Sequence, residues 1–256
     1  MSQMTAVLEK DVKEFLRDKV ILFFTFALPI FFVLVTPLMW GDIPPEAVPP
    51  LKGGLSLTMI TFMMMIAGQS NLAGSVTADR ERGLYLKIIS MPVTPLKEAM
   101  GRICGVVVFT LIGAFGVVML GVAYGAQYTY ELISVVESLG FFFLIAIAAT
   151  GIGLIIASLI KGESAATHTG IALTLLTAFL GGMFVPYSML PPFLQVIARI
   201  HPIPSANASI VFLLQGAEFV DYDPLILGQI GLTIGESCAL FVIGLMLYSK
   251  LCWRKM

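Results

Sequence analysis

The chain has 256 residues, of which 58% are hydrophobic and only 12% charged, and its formal net charge is −1. A soluble domain carries about a quarter charged residues, so a mean hydropathy of +0.95 excludes an ordinary soluble globule and identifies an integral membrane protein. The balanced charge implies no global polyanion partner, nucleic acid included.

Residues 1–19 predict an amphipathic helix, with Met4, Val7, Leu8, Val12, Phe15 and Leu16 at helical spacing and Glu9, Lys10, Asp11, Lys13, Glu14 and Arg17 on the other face. Its charge, and the lack of a small-residue cleavage site, argue against a cleavable signal peptide. A helix of this kind directly before an apolar run lies in the inner membrane interface, and it also offers a docking face; the two readings are compatible.

The remainder, 20–256, reads as a single transmembrane domain. A span needs roughly 20 apolar residues, and six runs qualify: about 20–40, 55–78, 103–125, 139–160, 169–189 and 226–248. The expected fold class is therefore an all-α integral membrane protein of six transmembrane helices, since helices satisfy their own backbone in lipid. The Pro-rich stretch GDIPPEAVPPLKGG reads as a stiff connector between the first two spans. Between the fifth and sixth, PPFLQVIARI and SIVFLLQGAEF are apolar but too short to cross; they are either re-entrant half-helices or surface helices capping the bundle. Asn207-Ala208-Ser209 matches a glycosylation sequon, a pattern common by chance.

Basic residues set the expected orientation. Of fifteen Lys and Arg, only Lys52 and Arg199 fall on one side; the N-terminal stretch, the loops after the second and fourth spans, and the tail hold the others. The positive-inside rule then places both termini in the cytoplasm.

Constellations of soluble enzymes are absent. The two histidines, His168 and His201, fall on opposite sides in this topology, and no G-x-x-x-x-G-K-[ST] occurs. Cys104, Cys238 and Cys252 have no paired spacing and suit neither a disulfide framework nor a metal site. Within the spans, Glu236 lies near the centre of the sixth, where an ionisable group is costly and a functional candidate. The packing reading of Glu236 is favoured, because one carboxyl without an intramembrane partner makes a poor proton relay. Gln69, Ser70 and Asn71 in the second span are candidates for the translocation pathway, with interhelical hydrogen bonding the favoured alternative.

The densest charge lies in DRERGLYLKIISMPVTPLKEAMGR, where eight Asp, Glu, Lys and Arg residues occupy the twenty-four positions 79–102. A short helix is predicted from about Leu84 to Ser90, stopped near Met91-Pro92, with Thr94 able to cap the third span. The positive-inside rule explains the basic residues but not the interleaved Asp79, Glu81 and Glu98, nor the apolar Leu84, Tyr85, Leu86, Ile88 and Ile89. A mixed charged and apolar surface suits protein docking.

This segment resembles the cytosolic loop of ABC-2 type transporter permeases. In that family a charged run ends in glycine, continues through a short apolar helix to a proline, and enters the next span. Here the corresponding residues are Glu81-Arg82-Gly83, Ile88-Ile89, Pro92-Val93 and Gly101-Arg102. Gly182, Pro186, Pro191 and Pro202 in the outer segment also resemble family positions, and the order of parts is similar over nearly the whole chain. The resemblance implies a transmembrane subunit of an ATP-driven exporter in the plasma membrane of a bacterium or archaeon. It would pair with a second permease subunit, homo- or heterodimeric, and with a separate ATP-binding-cassette subunit that carries the ATP and Mg. The short helix would be the coupling helix, with Asp79, Arg80, Glu81, Arg82, Gly83, Leu84, Tyr85, Lys87 and Pro92 as ATPase-coupling residues. The competing class is an ATP-independent carrier or channel. Such proteins commonly show internal repeats and paired midplane charges, and no convincing repeat is found in this sequence.

Overall fold

The computed structural model describes residues 3–17, 19–39, 41, 43–88, 94–128, 131–184, 187, 190–216 and 219–253. Every regular element among them is helical. The first, α1 (Gln3–Arg17), is the expected amphipathic helix; it packs along the helix Pro95–Ala123 and buries Phe15 against Phe109. The first predicted span is interrupted: α2 (Lys19–Leu22), a π-helical turn (Phe23–Ala27), α3 (Leu28–Val35) and a 3-10 turn (Thr36–Met39). Pro29 explains the break, since it has no N–H to donate to the preceding turn and its ring crowds that turn.

The second span is longer than expected. α4 (Val48–Met65), a π-helical turn (Ile66–Asn71) and α5 (Leu72–Glu81) form one 34-residue helix. Half of the Pro-rich stretch read as a connector is thus helical, because Pro49 and Pro50 sit in the first turn, where a missing N–H costs nothing. After α6 (Leu84–Ile88), α7 (Pro95–Ala123) begins at Thr94, whose side chain accepts from Lys97 N at 3.3 Å, the expected cap. Then follow α8 (Leu132–Leu159) and α9 (Glu163–Leu180).

The outer segment forms α10 (Pro192–Ile200) and α11 (Pro202–Gln215), bent by 87° to each other, before α12 (Leu227–Leu251). α11 is buried from Pro202 to Asn207 and packs against α4, α8 and α12. α10 instead leaves Phe193, Val196 and Ile200 exposed. The segment is therefore one helix inside the bundle and one across its end. Asn207 is buried, donating to Thr58 Oγ1 at 3.3 Å, so its sequon is not presented for glycosylation.

By length and apolarity, four helices among the described residues qualify to cross a membrane: Val48–Glu81, Pro95–Ala123, Leu132–Leu159 and Leu227–Leu251. The bent α10–α11 pair would make a fifth if it is one broken span. Of the six predicted spans, the first is a shorter apolar helix, Thr25–Met39, and the fifth corresponds to α9, which opens with polar Glu163, Ser164, Thr167, His168 and Thr169. α8 is central, packed on α4, α5, α7, α11 and α12.

Candidate functional site

The described residues of the charged segment sit on the last turn of α5, on α6 and at the start of α7. Successive helical positions differ by about 100° in direction, so neighbours in sequence reach different parts of the bundle. Asp79, buried, accepts from Lys10 Nζ on α1 and from Arg102 Nη2 on α7 at 2.9 Å. Arg80 reaches the end of α8, donating to Ala157 O at 3.0 Å and to Ile160 O. A guanidinium on unsatisfied C-terminal carbonyls both caps the helix and suits its dipole. Glu81 points outward, and its Oε1 accepts from Glu163 N at the start of α9 at 3.4 Å. Arg82, 66% exposed, lies within 4.0 Å of Glu14 and 3.9 Å of Glu163. Gly83 then turns the chain at φ +69°, a left-handed conformation that a side chain would strain.

On α6, Lys87 is exposed and Leu84 half-buried, while Tyr85 is buried. Its hydroxyl lies 2.6 Å from that of Tyr248 on α12 and 3.5 Å from Glu98 Oε1 on α7. Burial pushes the Tyr85 phenol well above its usual range, with the nearby Arg102 cation opposing, so it stays a neutral donor. Tyr248 in turn donates to Glu98 Oε2, and Arg102 Nε donates to Glu98 Oε1 at 2.7 Å. Glu98, Arg102 and Asp79 are all nearly fully buried. Two carboxylates face two cations here, so the buried cluster is close to neutral, as a low-dielectric site requires. Trp253 closes it, with its ring 6.1 Å from Tyr85 and 6.3 Å from Tyr248. Pro92 lies outside the described residues.

The segment thus joins α1, α7, α8 and α12 through its buried side chains, and α9 through Glu81 and Arg82. Its outward side presents Glu81, Arg82 and Lys87 beside an open groove of about 930 Å³ lined by Glu81 and the start of α9, including Glu163, Thr167 and His168.

The translocation candidates are separate from this cluster. Gln69, Ser70 and Asn71 form the end of the π-helical turn and are buried. Ser70 Oγ donates to Thr167 O at 3.0 Å, Asn71 Nδ2 to Thr25 Oγ1 at 3.0 Å, and Thr174 Oγ1 to Gln69 Oε1 at 3.3 Å. All three tie the second span to its neighbours. Close approach permits this: a Cβ at Gly170 on α9 would lie 2.4 Å from Ser70 Cα. Glu236 is half-buried on α12, twelve residues or about 18 Å along the axis from Tyr248.

Sequence reasoning missed Lys10, Glu98, Arg102 and Tyr248 as site residues. Glu98 and Arg102 carried a signal, an i, i+4 pair of opposite charge where a span begins. Tyr248 carried none: it is one aromatic residue near the end of an apolar helix.

The described helices build a multi-pass membrane protein with a charged hub at one end of its bundle. Residues 2–212 match the ABC-2 type transporter family, and the chain belongs to it. No curated protein matches it in sequence.

Proposed function

We propose that this permease is one half of the membrane unit of an ATP-driven exporter. It lies in the plasma membrane of a bacterium or archaeon with both termini in the cytoplasm. A second permease subunit completes the pathway, and a separate ATP-binding-cassette subunit, holding ATP and Mg²⁺, engages the α5–α6 turn. The observation that carries the reading is the two-sided form of that turn. Its inner side is keyed into α1, α7, α8 and α12 by Asp79, Arg80 and Tyr85, while Glu81, Arg82 and Lys87 stand exposed. An ATPase gripping the exposed side would move those helices together. The basic residues of α1 and of this turn gather at one end, which by the positive-inside rule supports a cytoplasmic position.

The test is co-expression with a soluble ATP-binding-cassette ATPase from the same genome, sought first in the neighbouring reading frames, followed by purification through a tag on the permease. Stable co-purification with ATPase activity is expected. Changing Glu81 to Lys together with Arg82 to Glu should weaken it while membrane insertion is kept, since the number of local cations is unchanged. If the ATPase does not co-purify with the unaltered permease, the reading fails.

A further inference from the structure

Tyr248 lies beyond the residues that match the family, 2–212, yet it is fully buried against α6 and α7. α12 is otherwise the least embedded of the long helices: only 17% of its apolar window is buried. Its inward residues are few, chiefly Thr233, Ser237, Gly244 and Tyr248. Near its start Gln229 and Thr233 hydrogen-bond Ser205 Oγ on α11 at 2.8 and 2.7 Å, and midway Gly244 meets the backbone of Gly151 on α8, a smooth contact without a side chain to interlock. At its final turns the contact changes character. One hydroxyl chain with a consistent direction runs from Tyr85 on α6 to Tyr248 on α12 and on to Glu98 on α7, where Arg102 holds the carboxylate.

We propose that this Tyr85–Tyr248–Glu98 relay makes α12 move with α6, so that Tyr248 and Glu98 are positioning residues for ATP-coupled rearrangement of the sixth span. The proposal rests on the reading of α6 as the element the ATPase engages. Apolar contacts are non-directional and permit sliding. A buried hydrogen-bond chain ending on a carboxylate is not so permissive: if α6 moved alone, two buried phenols and a buried carboxylate would lose partners. Concerted movement of α6, α12 and the start of α7 keeps the chain intact. The displacement then reaches the helix that carries Glu236, about 18 Å away along its axis.

Cys238 provides the reporter, since it is exposed on α12 whereas Cys252 is buried. In a Cys104→Ala, Cys252→Ala background, Cys238 is labelled with an environment-sensitive fluorophore. The complex with the ATPase is placed in nanodiscs, and emission is compared before and after ATP-Mg with vanadate. A nucleotide-dependent change is expected in the parent. Tyr248→Phe keeps the ring and removes only the hydroxyl; it should shrink the change by roughly fivefold or more. ATPase binding should persist in that variant. Glu98→Gln should act in the same direction. A purely structural role would lower thermal stability in these variants but leave the size of the label response unchanged, and that result overturns the relay. If Glu98→Gln does not fold, Tyr248→Phe alone decides. A parent complex that binds the ATPase but gives no label change also overturns the relay, while leaving the functional reading in place. Failure of the ATPase to bind the parent removes both.

Discussion

Arg102 is the residue whose loss should be felt most. It is 1% exposed and donates to two buried carboxylates, Glu98 at 2.7 Å and Asp79 at 2.9 Å, with weaker contacts to Ser75 Oγ and Tyr85 Oη at 3.4 Å. Arg102→Met keeps much of the volume but leaves both carboxylates short of a cation. Asp79 would retain Lys10, and Glu98 only the phenol donors. Breaking a buried pair in this way costs about 3–5 kcal/mol, and the two short charge-assisted bonds give a similar total at about 1.5–3 kcal/mol each. In detergent this should lower the unfolding midpoint by on the order of 10 °C. Arg102→Lys should fall between, because an ammonium cannot span both carboxylates as the guanidinium fork does. Introducing Met into an Asp79→Asn, Glu98→Gln background should cost less than introducing it into the parent, since the buried charges needing compensation are gone. Arg17→Met, on an exposed position of α1, is the control and should stay within about 0.5 kcal/mol. Thermal unfolding followed by size-exclusion chromatography reads all four. If Arg102→Met and Arg17→Met lower the midpoint equally, the buried cluster does not hold this end of the bundle together.

Gly83→Ala places a side chain at φ +69° and should cost about 1–2 kcal/mol, measured as a lower unfolding midpoint with the helical circular dichroism retained. Gly170→Ala puts a Cβ 2.4 Å from the backbone of Ser70; overpacking of about 1–3 kcal/mol should appear as a midpoint shift, whereas Gly228→Ala, which meets nothing within 4 Å, should not shift it. In a cysteine-free background, a cysteine at exposed position 46 should label from outside intact cells and one at exposed position 87 only after permeabilisation; the reverse pattern would invert the proposed orientation. Glu236→Gln should leave assembly intact, and reduced transport in that variant would assign the carboxyl to the pathway rather than to packing.

Much of this protein was legible before any coordinates. Apolar runs of span length announce the membrane and most of the helices, because hydrocarbon demands internally satisfied backbone over a fixed thickness. Local chemistry marks some ends as well: Thr94 before Pro95 starts α7 where its hydroxyl can cap it. The ordered charged run, glycine and proline were enough to suggest the family that residues 2–212 match. What the sequence left open is direction. Asp79, Arg80, Glu81 and Arg82 read as one charged patch, yet the first is buried in an ion cluster, the second caps α8, and the last two face outward. A helix turns each neighbour by about 100°, and only the packing of α1, α7 and α8 around α5 decides which side is inside. The outer apolar segment is similar. Its length forbade a straight crossing, but the choice between surface and interior depended on whether α4, α8 and α12 left room for α11, and they do. Tyr248 entered the hub for the same reason: a partner on α6, 163 residues earlier, is supplied by the fold and not by local sequence.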